Sequence, residues 1–296
     1  MRLYKTTITP VSNFATSLKG DTLFGQICWA IRFTFGEERL KELLGDYDTN
    51  PFLIVSDAFA VNHLPKPMVP SIYLNEDAGD KKINRKKVWL TLEDLQAGNF
   101  HQAKTDKEIQ NIDTSMTIMH NAINYKTSTT GGGKGFDPYG ENEKSLSQKD
   151  IYFLLRSDFL LEELKKTFEL VSQMGYGKDS TIGKGRFRIS TYEPINIDLD
   201  SSTYLALSPF VPYGLECQRI FYEPFTRFGK SGASRANTNP FKKPILLADS
   251  AAVIHFEERV KKQYLGKAIS DISSYADTVH QGYSIIVPIK ELSHEK

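Results

Sequence analysis

One run of residues constrains the fold of this chain more than any other: Gly175-Tyr176-Gly177-Lys178-Asp179-Ser180-Thr181-Ile182-Gly183-Lys184-Gly185-Arg186-Phe187. It separates the clearest helix from a strand. Asp158 to Met174 predicts that helix, with Leu160, Leu161, Leu164, Phe168 and Val171 on one stripe and Glu162 four residues before Lys166. Gly175 suits its C-terminal cap, and Arg186 to Tyr192 reads as the strand. Glycines let backbone N–H groups approach a ligand, and Lys178, Lys184 and Arg186 with Ser180 and Thr181 would complete a phosphate-binding surface. The same run also reads as a left-handed cap and a tight helix-to-strand turn. A nucleotide P-loop is excluded. Gly177 and Gly183 have five residues between them, Lys184 is followed by Gly185, and the order is helix-to-strand.

The rest of the chain supplies the partners of this helix and strand. Arg2 to Thr9 predicts a first strand, ended by Pro10. Leu23, Phe24, Ile27, Cys28 and Ile31 fall at helical spacing, with Asp21 or Thr22 as cap and Gly36 as stop. Glu37 to Leu44 is a second helix, and Phe52 to Ala60 and Asp150 to Arg156 are strands. Residues 75–118 have weak periodicity and one short helix near Leu92 to Ala97, and 119–148 hold the glycine run Gly131-Gly132-Gly133-Lys134-Gly135, a flexible loop. The order strand–helix–strand, insertion, strand–helix–strand predicts an α+β fold of ferredoxin-like topology. Residues 1–198 form one domain with an insertion at about 75–148. Residues 199–296 form a second half, with strands at Thr203–Leu207, Ile245–Leu247, Ala252–Phe256 and Ser284–Ile289.

Charge narrows the function. Among 296 residues, 37 Lys and Arg stand against 36 Asp and Glu, a net charge of +1. The average hides clusters. Lys81 to Lys87 carries five cations, as does Arg227 to Lys243 (Arg227, Lys230, Arg235, Lys242 and Lys243), without an anion in either. Residues 37–48 are acidic. Such separation suits one polyanion-binding face and other faces for proteins. Two cysteines exclude a disulfide scaffold and point to a reducing cytoplasm. No Cys/His cluster has zinc-ligand spacing, and no apolar run has membrane-spanning length. No cofactor, metal or membrane is expected.

Three marks now converge: the glycine loop, Leu18-Lys19-Gly20-Asp21-Thr22-Leu23-Phe24-Gly25, and Asn121-Ala122-Ile123-Asn124. Together they resemble the RAMP superfamily of CRISPR proteins, and within it the Cas5-like group of type III-A (Csm) subunits that cap the crRNA. Pro240 to Ala248 fits that group more loosely, and type III-D relatives share much of the pattern. Where the family commonly has an arginine after the asparagine, this chain has Tyr125-Lys126. The resemblance implies two RRM-like halves with a thumb. It implies a non-catalytic subunit that holds the 5′ handle of crRNA, meets target RNA only indirectly, and joins the large polymerase/cyclase subunit to the backbone RAMP subunits. The expected RNA contacts are Lys19, Asp21, Asn124, Lys126, Lys178, Ser180, Thr181, Lys184 and Arg186. Gly177, Gly183 and Gly185 would permit close approach, and Arg227, Lys230 and Arg235 would grip single-stranded RNA.

Blander readings stand beside these. Asp21 is also a helix cap or, with a supporting cation or metal, an acid catalyst. Residues 227–235 are also a solvated loop. The run 81–87 is read as a solvent-facing charge cluster, with contact to a guide–target duplex as the alternative. Trp29 and Trp89 are read as packing residues. Two other functions compete: a crRNA-processing endoribonuclease using His63 or His120 as acid/base, and an assembly bracket with little RNA contact.

Overall fold

The computed structural model describes residues 1–76, 81–130, 137–230, 232, 240–275 and 277–292. Its first half is built from β1 (Arg2–Pro10), α1 (Gly20–Phe35), α2 (Glu37–Leu44), β2 (Leu53–Val55), β3 (Thr114–His120), β4 (Tyr139–Ser145), β5 (Lys149–Leu155), α3 (Leu161–Met174) and β6 (Phe187–Ile189). The main sheet runs β6-β1-β5-β2 and is antiparallel. Thr6 faces Ile151, Ile54 faces Leu154 and Ile8 faces Ile189. With α1 between its first and second strands and α3 between its third and fourth, this is the ferredoxin-like order.

Local sequence explains the elements. α1 buries Leu23, Phe24, Ile27 and Ile31 on one stripe. It starts at Gly20, earlier than its apolar pattern, and its N-cap position is Lys19. Neither Asp21 nor Thr22 caps it. The Gly20 N–H instead donates to the Asp57 carboxylate at 2.8 Å. A Cβ on Gly20 would stand 2.2 Å from the Val55 carbonyl oxygen, so glycine lets the helix start against β2. α3 starts at Leu161, and Leu160 is 59% exposed rather than part of the stripe.

The insertion is more ordered than its sequence suggests. Short strands at Leu64–Pro65, Lys87–Leu90 and Lys104–Thr105 pair together, beside the helix Leu92–Ala97. β3 and β4 form a hairpin across 114–145, where the sequence predicts loop. Both faces of β3 are largely exposed, so no period of two is written into it. The glycine run 131–135 lies outside the described residues.

The second half contains β7 (Asp200–Ala206), β8 (Arg219–Phe221), β9 (Pro224–Arg227), β10 (Ile245–Ala248), β11 (Val253–Lys261) and β12 (Tyr283–Pro288). Its sheet runs β8-β11-β7-β12, with Tyr264–Gly266 at the far edge. This repeats the strand order of the first half, but no helix occurs among the described residues after 199. Between β7 and β8, where a crossover helix would sit, Pro209, Pro212 and Gly214 break any helical run.

One hydrophobic cluster crosses the boundary at 198/199. Ile54, Phe52 and Leu154 share it with Leu205, Val253 and Ile285. The buried Gln281 side chain joins the halves like an extra residue of sheet. It donates to the Val55 carbonyl at 2.8 Å and accepts from the Val55 N–H at 2.9 Å.

Candidate nucleic-acid interface

The glycine loop is fastened to the segment 12–19. Lys178 N donates to Thr16 Oγ1 at 2.9 Å, Gly185 N to the Asn13 carbonyl at 2.8 Å, and Arg186 N to Ser12 Oγ at 2.9 Å. Tyr176 is buried, and its hydroxyl donates to the Ser17 carbonyl at 2.8 Å. These bonds change the role of the glycines. A Cβ on Gly177 would lie 2.5 Å from Thr16 Cβ, and one on Gly185 would lie 2.1 Å from the Tyr176 carbonyl oxygen. Both glycines are required by the chain's own packing. Only at Gly183, of the loop glycines, would a Cβ meet open space, and its φ of +94° still favours glycine. Ser180 and Thr181 lie on a single 3-10 turn, and Arg186 is exposed.

The expected cations are mostly paired. Lys184 bonds Glu143 of β4 at 2.7 Å, and Lys178 pairs with Glu141 of the same strand. Glu143 has no solvent exposure. Burial acts to raise its carboxyl, but the bonds from Lys184 and Asn13 outweigh that and hold it below the usual range. Lys19 bonds Asp57 at 2.9 Å and Asp249 at 2.6 Å and lies over the Phe225 ring. Burial disfavours its charge, yet these carboxylates raise its pKa overall. It ties α1 to the second half and does not point at solvent as an anion contact.

Asp21 is also internal. Its carboxylate receives two bonds of 2.7 Å from Arg227, and His280 Nε2 lies 3.3 Å away, outside hydrogen-bond geometry. Burial would raise this carboxyl; His280 and Arg227 outweigh it and depress the carboxyl far below its ordinary value. Arg227 in turn covers the Phe225 ring at 4.8 Å. Asp21 and Arg227 thus satisfy one another at the floor of a groove.

That groove has a volume of 670 Å³ and follows the face of α1 opposite its buried stripe. Thr22, Gly25, Gln26, Trp29 and Arg32 of α1 line it. Lys178, Phe228, Lys230 and Lys242 line it as well. Among the described residues, six cations line it against three carboxylates, one of which is the buried Asp21. Trp29 stacks on Phe33 at 5.9 Å and carries Arg32 over its ring at 5.3 Å. Phe228 is 75% exposed. Cationic walls with aromatic faces are the surface that single-stranded nucleic acid uses. Cys28 lines the groove too, but burial pushes its thiol up to about 12, so it offers no thiolate near neutral pH.

The groove therefore gathers Asp21, Gly177, Lys178, Arg227 and Lys230 of the expected residues. It does not gather Asn124 and Lys126. Asn124 Oδ1 accepts from Lys126 N at 3.0 Å in a turn beyond the hairpin, where Lys126 is exposed. Arg235 lies outside the described residues. Lys242 of the cationic run 227–243 also lines the groove, as do Trp29, which the sequence assigns to packing, and His280, to which it assigns no role. Trp29 was detectable, because it stands off the stripe of Leu23, Ile27 and Ile31. Trp89, as expected, packs in the insertion, its Nε1 donating to Asp106 at 2.8 Å.

No known family profile and no curated protein sequence matches this chain. Solved structures do. A chain of the Csm1–Csm4 cassette in complex with AMPPNP superposes with a TM-score of 0.61 at 14% identity, over 98% of both chains. A chain of the Csm3–Csm4 subcomplex in the type III-A CRISPR-Cas interference complex also gives 0.61 at 14% identity, over 98% of this chain and 100% of that one. Csm4 is the component common to both. The chain shares the fold of this type III-A subunit. A third match, to the Csm1–Csm4 cassette with cA4, has a TM-score of 0.60 at 13% identity and covers 97% of this chain. The likeness to the Csm4 fold runs nearly end to end. No described helix is long and apolar enough to cross a membrane.

Proposed function

We propose that this chain is the Csm4-type subunit of a type III-A CRISPR effector. It holds the 5′ handle of the crRNA, and it joins the large polymerase/cyclase subunit to the backbone RAMP subunits without a catalytic step of its own. The observation that carries this reading is the end-to-end likeness to a fold solved in one assembly with Csm1 and in another with Csm3. The cationic, aromatic groove on α1 supports the RNA contact.

The histidine nuclease reading is weaker on geometry. His120 Nε2 is buried, 4.0 Å from Glu143 Oε1, and is turned to the hairpin's own carboxylate. His63 Nδ1 is engaged by the Val61 carbonyl at 2.8 Å. The test is co-expression with Csm1-type and Csm3-type subunits and a crRNA, followed by crosslinking. Handle nucleotides should crosslink to this chain, both subunits should co-purify, and repeat RNA given to the chain alone should stay intact. Cleaved repeat, or crosslinks confined to other subunits, would overturn the reading.

A further inference from the structure

Among the described residues, none explains the glycine at position 25. It sits inside α1, not at a turn or cap, and it does not adopt a positive φ. A Cβ built on it would meet nothing within 4 Å. Alanine would fit there and would favour the helix, because glycine carries extra backbone freedom into the unfolded state. The same residue lines the groove. The bare stretch of helix therefore leaves open space in the groove beside the described residues.

The walls indicate what that is. Trp29, one turn after Gly25, makes with Phe33 a near-parallel pair at an interplanar angle of 27°. The exposed Phe228 also lines the groove, and among the described residues cations outnumber carboxylates there. A protein segment would not call for that excess of positive charge, and a bare anion would not call for the rings. A nucleotide calls for both.

We infer that the α1 groove is a subsite for one unstacked nucleotide of single-stranded RNA, its backbone passing over Gly25. Its base rests against Trp29 and Phe228, and its phosphates face Lys178 and Lys230. This deepens the handle-binding reading and rests on it.

The experiment uses the full chain carrying Trp89→Phe, which leaves Trp29 as the sole fluorophore of its kind. It is titrated with a single-stranded RNA of about eight nucleotides, within the span such grooves bind, and separately with inorganic polyphosphate. RNA should quench Trp29 and polyphosphate should not. Gly25→Leu should weaken RNA binding by about tenfold or more, while its melting temperature holds or rises. Phe228→Ala should weaken binding about tenfold with an unchanged salt slope, as loss of one stacking partner requires. If the parent binds RNA and Gly25→Leu binds it equally well, the subsite is wrong and the handle reading survives. Equal quenching by polyphosphate, with Phe228→Ala unaffected, also overturns the subsite. A parent chain that binds no RNA, alone or in the assembled complex, overturns the handle reading itself.

Discussion

Asp21 is a carboxylate without solvent exposure, held by two bonds from Arg227. Arg227→Ala leaves that buried charge with the Thr22 N–H at 2.8 Å and the His280 ring beside it, which costs about 3 kcal/mol. Urea unfolding should show the loss. The pH dependence has a definite sign. The folded-state pKa of Asp21 is depressed, and so is that of Glu143. Both groups stabilise the fold fully above the unfolded carboxylate pKa of about 4, and that stability drains away as pH falls towards the folded values. Melting temperature should stay level from neutral pH to about 5 and fall below about 4. Asp21→Asn should flatten the fall; a fall as steep as the wild type's would contradict the assignment. The loop glycines separate in the same way. Gly183→Ala should cost about 1–3 kcal/mol, from its positive φ alone. Gly185→Ala should cost more, because its Cβ would also collide with the Tyr176 carbonyl.

At the scale of elements, what the sequence made legible followed from burial. α2 and the helix Leu92–Ala97 stand where expected, the latter closed by a capping box, and α1 keeps its buried stripe although it starts at Gly20, ahead of the expected caps. The hairpin β3–β4 was invisible because its residues are polar on both faces and its pairing supplies the only regularity. The candidate site was half legible. The run of charged residues named the right segments, but charge in a sequence does not reveal its partner. Lys19 and Lys184 prove to be tied to Asp57, Asp249 and Glu143 from 38 to 230 positions away in the chain, distances no spacing rule spans. The glycines of 175–185 were read as openings for a ligand; at Gly177 and Gly185 the close neighbour is the chain itself. Gly25 is legible in the sequence only as the end of the Leu18–Gly25 mark, since the open space beside a glycine shows only when its surroundings are built.

Across the whole molecule, the boundary drawn at 198/199 does not divide the core. Ile54 and Leu154 pack in one cluster with Leu205 and Val253, and Gln281 bonds both backbone groups of Val55. The two halves should therefore unfold in one transition. Residues 1–198 expressed alone should lack a cooperative melt and bind a hydrophobic dye, because the β2 side of the core is left open. Two separate calorimetric transitions in the full chain would refute this.

The pairing of Lys178 with Glu141 and of Lys184 with Glu143 has a consequence for selectivity. Each lysine already has an occupant, so an arbitrary polyanion must displace a carboxylate before it gains a contact. If the proposed function holds, the loop would be shielded from bulk nucleic acid and would respond to a strand that also engages the α1 face. Glu141→Gln removes one such competitor at a partly exposed position. It should strengthen binding to heparin several-fold, the scale of one phosphate contact, and narrow the preference for handle RNA over random RNA. On the proposed handle-binding function, the acids beside the glycine loop would act as discriminators: they would weaken every encounter slightly so that the correct one stands apart.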